Sequence, residues 1–240
     1  MKSPVSLILP TYNERENIEP LIREVARHLY PESEIIVVDD NSPDETWKIV
    51  SRLKLDSPRL RLLRRMEKPG LTASLRAGIE MAAHDTVLWM DADFAHPPSV
   101  LPRLLGAPAT WDIVLASRYV SGGGDGRKSR IRRGISLALN QSARKLLGTS
   151  VSDLSTGYLR VSKKIFAKVP LEGNYGDYCI SFLARAEREG FSILEVPYSN
   201  LDREKGSSKT THNPLVFARF AAGYLLTILR LRRQFKTSGR

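Results

Sequence analysis

The chain contains one cysteine, Cys179, in 240 residues, so no internal disulfide can form and a reducing, cytosolic setting is the default expectation. Its four histidines are scattered and, with a single thiol, offer no zinc-ligand spacing. The apolar run Val5 to Leu9 meets Pro10 at once; it is too short for the apolar part of a secretory leader, and the fold is expected to begin there. Near the other end the longest uncharged run, Phe220 to Leu229, falls far below the ~18–20 residues that span a bilayer. No Gly-x-Gly-x-x-Gly turn follows the first predicted strand and no Gly-x-x-x-x-Gly-Lys-Ser/Thr occurs, which removes the main support for dinucleotide and P-loop readings. There is no internal repeat and no low-complexity tract.

What the chain does have is length enough for one large α/β domain and an excess of base: 37 Lys and Arg against 26 Asp and Glu, a formal charge of +11. That balance favours an anionic partner such as nucleic acid, phosphates or an acidic membrane surface. The basic clusters Arg127-Lys128, Arg130 and Arg132-Arg133 lack interleaved aromatics, so nucleic acid is not the expected partner.

Apolar periodicity gives the organisation. Val5 to Leu9 reads as a strand, Ile18 to Leu29 as a helix and Glu34 to Val38 as a buried parallel strand. A helix carrying Trp47 to Leu53, a strand at Leu60 to Leu63, a helix at about 71–83 and a buried strand at Thr86 to Met90 follow. Asp112 to Ala116 and Ile193 to Pro197 are further strands, Ser121 to Arg133 reads as a loop, Ile135 to Leu147 as a helix, and Asp202 to Asn213 as a polar, basic loop. Strands alternating with helices imply right-handed crossovers and a mostly parallel sheet. The expected division is a catalytic domain over 1–212 and a basic, amphipathic helix and tail over 213–240. That helix has two placements open to it: on a membrane surface, with its arginines toward anionic headgroups, or packed on the domain.

The acids Asp39-Asp40 and Asp91-Ala92-Asp93 both fall at the carboxyl ends of predicted strands, where open α/β sheets bind ligands. Two carboxylates with one small residue between them can share a divalent cation if the backbone bends there, and Mg²⁺ or Mn²⁺ accepts such oxygen ligands together with diphosphate and water. For the triplet alone, solvated or capping aspartates before the turn at His96-Pro97-Pro98 explain the pattern equally well. The second acidic pair favours the metal site, because clustered acids repel unless a cation or ligand donors neutralise them. His96 itself reads as a turn residue.

Leu9-Pro10-Thr11-Tyr12-Asn13-Glu14, Val37-Val38-Asp39-Asp40-Asn41-Ser42-Pro43-Asp44 and Met90-Asp91-Ala92-Asp93 with His96-Pro97-Pro98 resemble the family 2 inverting glycosyltransferases, and within them the dolichyl-phosphate mannose synthases and their bacterial polyprenyl-phosphate relatives. Ser117 to Gly124, Arg132 to Ser136, Asp153 to Tyr158, Glu195-Val196-Pro197, Asp202-Arg203 and Gly206 to Lys209 extend the resemblance over about 5–210. It implies a GT-A fold, a nucleotide-diphosphate hexose donor, most readily GDP-mannose, and a polyprenyl or dolichyl phosphate acceptor met at the cytoplasmic side of a membrane, with room for a small membrane anchor subunit. It implies that Pro10, Tyr12, Glu14, Asp39, Asp40, Asp91, Ala92 and Lys209 face the donor and that Asp91 and Asp93 hold the metal. Arg118, Arg132 and Arg203, with Ser136, are the candidates for the acceptor phosphate, since a guanidinium pairs bidentately with phosphate oxygens. Two positions depart from the family pattern: Ala95 stands where a glutamine contributes to the metal site, and Thr72 stands where a glycine is usual. A UDP-glucose donor, and a non-catalytic protein binding nucleotide-sugar or lipid phosphate on the same fold, are the alternative readings.

Overall fold

The computed structural model describes residues 3–173, 176–202 and 214–237, with side chains in the last segment described from residue 222 onward. The apolar run at the start forms β1 (Ser6–Thr11), followed by α1 (Ile18–His28), β2 (Glu34–Asp39), α2 (Thr46–Leu53), β3 (Leu60–Arg64), α3 (Leu71–Met81) and β4 (Thr86–Trp89). Then come α4 (Leu101–Gly106), β5 (Ile113–Ser117), β6 (Gly124–Asp125), α5 (Arg130–Leu147), β7 (Leu159–Ser162), α6 (Asp177–Arg188), β8 (Ile193–Pro197), β9 (Ser199–Asn200) and α7 (Pro214–Thr237).

Among the described residues seven strands form one sheet in the order β3-β2-β1-β4-β7-β5-β8, and β6 pairs with β9 in a small second sheet. Within the large sheet β7 alone runs against its neighbours β4 and β5; the other pairings are parallel. Strands covered on both faces read as unbroken apolar runs, and side-chain alternation divides each run between two cores. Ile8 of β1 joins the face with Leu75, Ile79 and Phe182, while Leu7 and Leu9 join the opposite face with Leu21, Val25 and Leu101.

Two expectations need correction. The helix expected from Ile135 begins at Arg130, because Ser129 caps it by accepting from the Arg132 N–H; the exposed Ile131 and Ile135 break the apolar stripe that would have revealed the start. The loop expected over 121–133 also holds β6, whose pairing with β9 is invisible to local periodicity. Apart from Asp202, the polar loop expected over 202–213 lies outside the described residues.

α7 packs against α5 and α6, burying Ile228 and Leu231 completely. Arg188 donates to the Phe235 carbonyl at 2.9 Å and Thr227 to Asp177 Oδ2 at 3.3 Å. Leu225, Leu226 and Leu229 stay exposed, so its outer side is not purely polar. Among the described residues no helix is long and apolar enough to cross a membrane.

Helix α3 can lie close on the sheet because Gly78 has no side chain: a Cβ there would stand 2.5 Å from Ile8 Cγ2 and 3.2 Å from Val38 Cγ2. Gly78→Ala gains about 1 kcal/mol of helix propensity but overpacks a β-branched pair held by the sheet, at about 1–3 kcal/mol. A net loss of stability is therefore expected in denaturant unfolding, larger for Gly78→Val.

Candidate active site

The parallel strands deliver their carboxyl ends to one edge, and the turns there carry the candidate residues. Asn13 after β1, Asn41 after β2 and Phe94 after β4 have φ of 57°, 52° and 63°. Asparagine visits this left-handed region readily; phenylalanine does so at a cost, and such outliers gather at functional sites.

Pro10 near the end of β1 and Tyr12 just after it are half-buried, and Glu14 is buried. Glu14 accepts from Asn17 Nδ2 at 2.9 Å, and its backbone N–H donates to Thr46 Oγ1 at 3.0 Å. Asp39 is fully buried, with one oxygen accepting the Ser42 N–H at 2.8 Å and the other the hydroxyls of Thr11 and Ser42 at 2.9 and 2.6 Å. Asp40 is buried too, accepting from Gly70 N–H and Ser74 Oγ, both at 2.7 Å, and from Arg65. The Asp39-Asp40 pair, expected to favour a metal site, is thus held by donors of the protein itself and needs no cation.

Asp91 is different: its side chain is 49% exposed at the edge. Ala92 behind it is buried, and Asp93, half-buried, turns the chain by accepting the Ala95 N–H at 3.0 Å. His96 is buried against Tyr158, ring centroids 5.1 Å apart, and its Nδ1 accepts the Asp91 N–H at 3.0 Å. With that lone pair taken, the imidazole holds the turn, in keeping with its reading as a turn residue. Among the described residues no group of three or more His, Cys, Asp or Glu could hold a metal.

Beyond β5, Arg118 is buried and forked onto Asp153, with Nε and Nη2 each 2.7 Å from a carboxylate oxygen; Nη2 also donates to Ser155 at 2.9 Å. Burial works against its charge, but the Asp153 carboxylate more than offsets this and raises its pKa, so the guanidinium stays charged. The remaining nitrogen, Nη1, reaches Ser136 Oγ at 3.4 Å, and the Tyr119 hydroxyl donates to the same oxygen at 2.9 Å. Arg132 and Ser136 stand four apart on α5 and share a face. Arg118, Ser136 and the first turn of α5 therefore meet, whereas Arg203 and Lys209 lie outside the described residues.

Asp125, Asp153 and Glu195 were not picked out as site residues by sequence. Burial raises the Asp125 carboxyl, but hydrogen bonds from Arg127 and the charges of Arg127 and Arg118 bring it below the usual range. Glu195 accepts the N–H groups of Ser152 and Asp153 at 2.8 and 3.1 Å, aiming the Asp153 carboxylate at Arg118. The sequence signal for Asp153 and Glu195 is their place inside the later motifs, which carry no chemistry of their own until the fold pairs them; Asp125 lies just past the Ser117 to Gly124 motif and carries no such signal.

Comparison with known proteins gives the family and the fold type. Glycosyl transferase family 2 matches residues 6–169. The chain is 37% identical over 222 residues to polyprenol monophosphomannose synthase of Mycolicibacterium smegmatis, covering 89% of this chain and 83% of that one. It is also 37% identical to undecaprenyl-phosphate mannosyltransferase of Micrococcus luteus, covering 85% and 86%. Glucosyl-3-phosphoglycerate synthase of Mycobacterium tuberculosis, solved with Mn²⁺, uridine-diphosphate and glucosyl-3-phosphoglycerate, superposes with a TM-score of 0.70 over 95% of this chain and 79% of that one, at 21% identity. The fold is of the GT-A type. The chain belongs to glycosyl transferase family 2 and is a glycosyltransferase.

Removing Asp153 leaves the buried Arg118 charge uncompensated, so Asp153→Ala is expected to cost about 3–5 kcal/mol in urea unfolding. Replacing the pair together, Arg118→Met with Asp153→Leu, is expected to cost less than the single change.

Proposed function

We propose that the enzyme transfers mannose from GDP-mannose to a dolichyl or polyprenyl phosphate, with inversion, at the cytoplasmic side of a membrane. The observation that carries this reading is the pairing of two centres of opposite sign on one sheet edge: the exposed Asp91 carboxylate after β4, and Arg118 with Ser136 and the α5 start after β5. Only β7 separates them, a backbone separation of about 10 Å at two strand spacings. The names of the polyprenyl-phosphate relatives support the acceptor class.

The donor set at Asp91 and Asp93 suits Mg²⁺ or Mn²⁺. Both offer hard oxygen ligands, His96 has its Nδ1 engaged elsewhere, and Ala95 offers no side-chain ligand. Such a cation keeps several positions for phosphate oxygens and water. When bound, it would offset the charge on the departing diphosphate. Pro10, Tyr12, Glu14, Asp39, Asp40, Ala92 and Lys209 complete the proposed donor side, with Asp39 and Asp40 acting through the turns they hold rather than by direct contact.

On the acceptor side the capped α5 start presents N–H groups to an anion, and Arg132, Ser136 and Arg118 Nη1 join it there; Arg203 belongs to this group by resemblance. An acceptor phosphate is anionic at neutral pH, so its oxygen needs aim and charge neutralisation more than proton removal. A bond forms from that oxygen to the anomeric carbon as the bond to the diphosphate breaks on the opposite face, its electron pair leaving with the nucleoside diphosphate.

Exposed Leu225, Leu226 and Leu229 on α7, and Ile131 and Ile135 on the adjoining α5, are apolar groups flanked by Arg130, Arg230, Arg232 and Arg233, a composition suited to an anionic lipid surface, with or without a small anchor subunit.

A panel of labelled GDP-mannose and UDP-glucose against polyprenyl phosphate, with Mg²⁺ or Mn²⁺, is expected to give mannosyl transfer. Tight donor binding without turnover would favour a binding protein, and glucosyl transfer the UDP-glucose alternative. Asp91→Asn is expected to reduce turnover at least a hundredfold, on the order of the loss of a transition-state charge contact, with the unfolding midpoint retained. Changing Leu225, Leu226 and Leu229 together to Ser is expected to abolish flotation with anionic vesicles; undiminished flotation would remove α7 from the membrane reading.

A further inference from the structure

The hydroxyl of Thr72 is out of place. Thr72 is only 4% exposed, yet among the described residues its Oγ1 has no hydrogen-bond partner. Buried polar groups are satisfied almost without exception, and one that is not calls for an explanation. Its neighbour makes the contrast plain, since the Ser74 hydroxyl donates to Asp40 at 2.7 Å. A threonine inside a helix can bond back to the carbonyl three or four residues earlier, but for Thr72 those residues, Pro69 and Lys68, precede the helix.

The surroundings point to an outside partner. Thr72 is the second residue of α3, whose cap, Gly70, brings no side chain. The first backbone bond of the turn runs from Ser74 N–H to Gly70 O at 2.9 Å, so the N–H groups before it have no intrahelical acceptor. Side chains on a helix lean toward its N-terminus, so the Thr72 side chain leans toward that open end. That opening lies on the catalytic edge, because Asp40, directly after β2, holds the Gly70 N–H at 2.7 Å. One strand, β1, separates β2 from β4 and its Asp91, a distance of about 10 Å that a diphosphate with its hexose can bridge.

We propose that Thr72 is a donor-binding residue. Its hydroxyl and the N–H groups of the α3 start grip an oxygen of the nucleotide-sugar beyond the nucleoside, in the diphosphate or the hexose. This rests on the nucleotide-sugar reading above and adds a residue to it.

The test is calorimetric titration of the full chain, with Mn²⁺, by GDP, GDP-mannose, UDP and UDP-glucose, comparing wild type, Thr72→Val and Thr72→Ser. Thr72→Val is expected to weaken nucleotide-sugar binding about tenfold, the effect of one hydrogen bond to a charged or buried oxygen, and Thr72→Ser to stay near wild type. The ligand-free Thr72→Val protein is expected to unfold at or above the wild-type temperature, since its methyl replaces a hydroxyl that bonds nothing among the described residues; if it fails to fold, Thr72→Ala serves the same comparison. Weakening of both the nucleoside diphosphate and the nucleotide-sugar assigns the hydroxyl to the diphosphate; weakening of the nucleotide-sugar alone assigns it to the hexose. Unchanged affinity for all four ligands overturns the assignment. Failure of the wild type to bind any of them overturns the donor reading on which it stands.

Discussion

A carboxylate taken out of water loses several kcal/mol of hydration unless donors replace it, and Glu14, Glu34, Asp39, Asp40 and Asp153 are all buried here. For Glu34, Asp39, Asp40 and Asp153 donors come from chain segments far apart in sequence. Asp39 fastens the end of β1 to the turn after β2, Asp40 fastens β2 to Arg65 and to the start of α3, and Asp153 fastens the loop before β7 to the end of β5. Glu34 accepts from Ser6, Arg61 and Ala83, tying three segments at the opposite ends of the strands. Each of these acids binds its own protein in the way a ligand would, and the sheet edge takes its shape from them.

This changes what acidity at the edge means. Asp39, Asp40 and Asp91 all follow parallel strands, and by sequence they belong to one constellation. The first two spend their oxygens on hydroxyls, amides and an arginine; the third keeps its side chain half in water. Arg118 divides likewise within one side chain, with two nitrogens committed to Asp153 and one turned toward Ser136. Framework and chemistry are separated by hydrogen-bond saturation rather than by residue type.

The parallel strands were legible because burial on both faces leaves an unbroken apolar run, as in Glu34-Ile35-Ile36-Val37-Val38. β7 was not, since Leu159-Arg160-Val161-Ser162 places a charged residue inside a short strand, and Arg160 is accommodated by the carbonyls of Ala107, Pro108 and Trp111. α6 was also missed: it is buried nearly all round in its first turns and so lacks a polar face to set its period. In the site, the residue types and the edge on which they gather could be read from the motifs. Which oxygens were already occupied could not, because Thr11 meets Asp39, and Arg65 and Gly70 meet Asp40, only after the strands have paired.

The reversed strand sets a gauge. β7 enters the sheet from the catalytic edge, so its first residues, after Gly157 and Tyr158, stand between the strand that ends at the aspartates and the strand that ends at Arg118. The gap between the anionic and cationic centres is therefore fixed by backbone hydrogen bonding on both flanks of one strand. Loop changes can alter what enters from above, but they cannot widen that gap. A substrate pair whose reacting atoms needed a longer reach would require a different sheet, not a different loop.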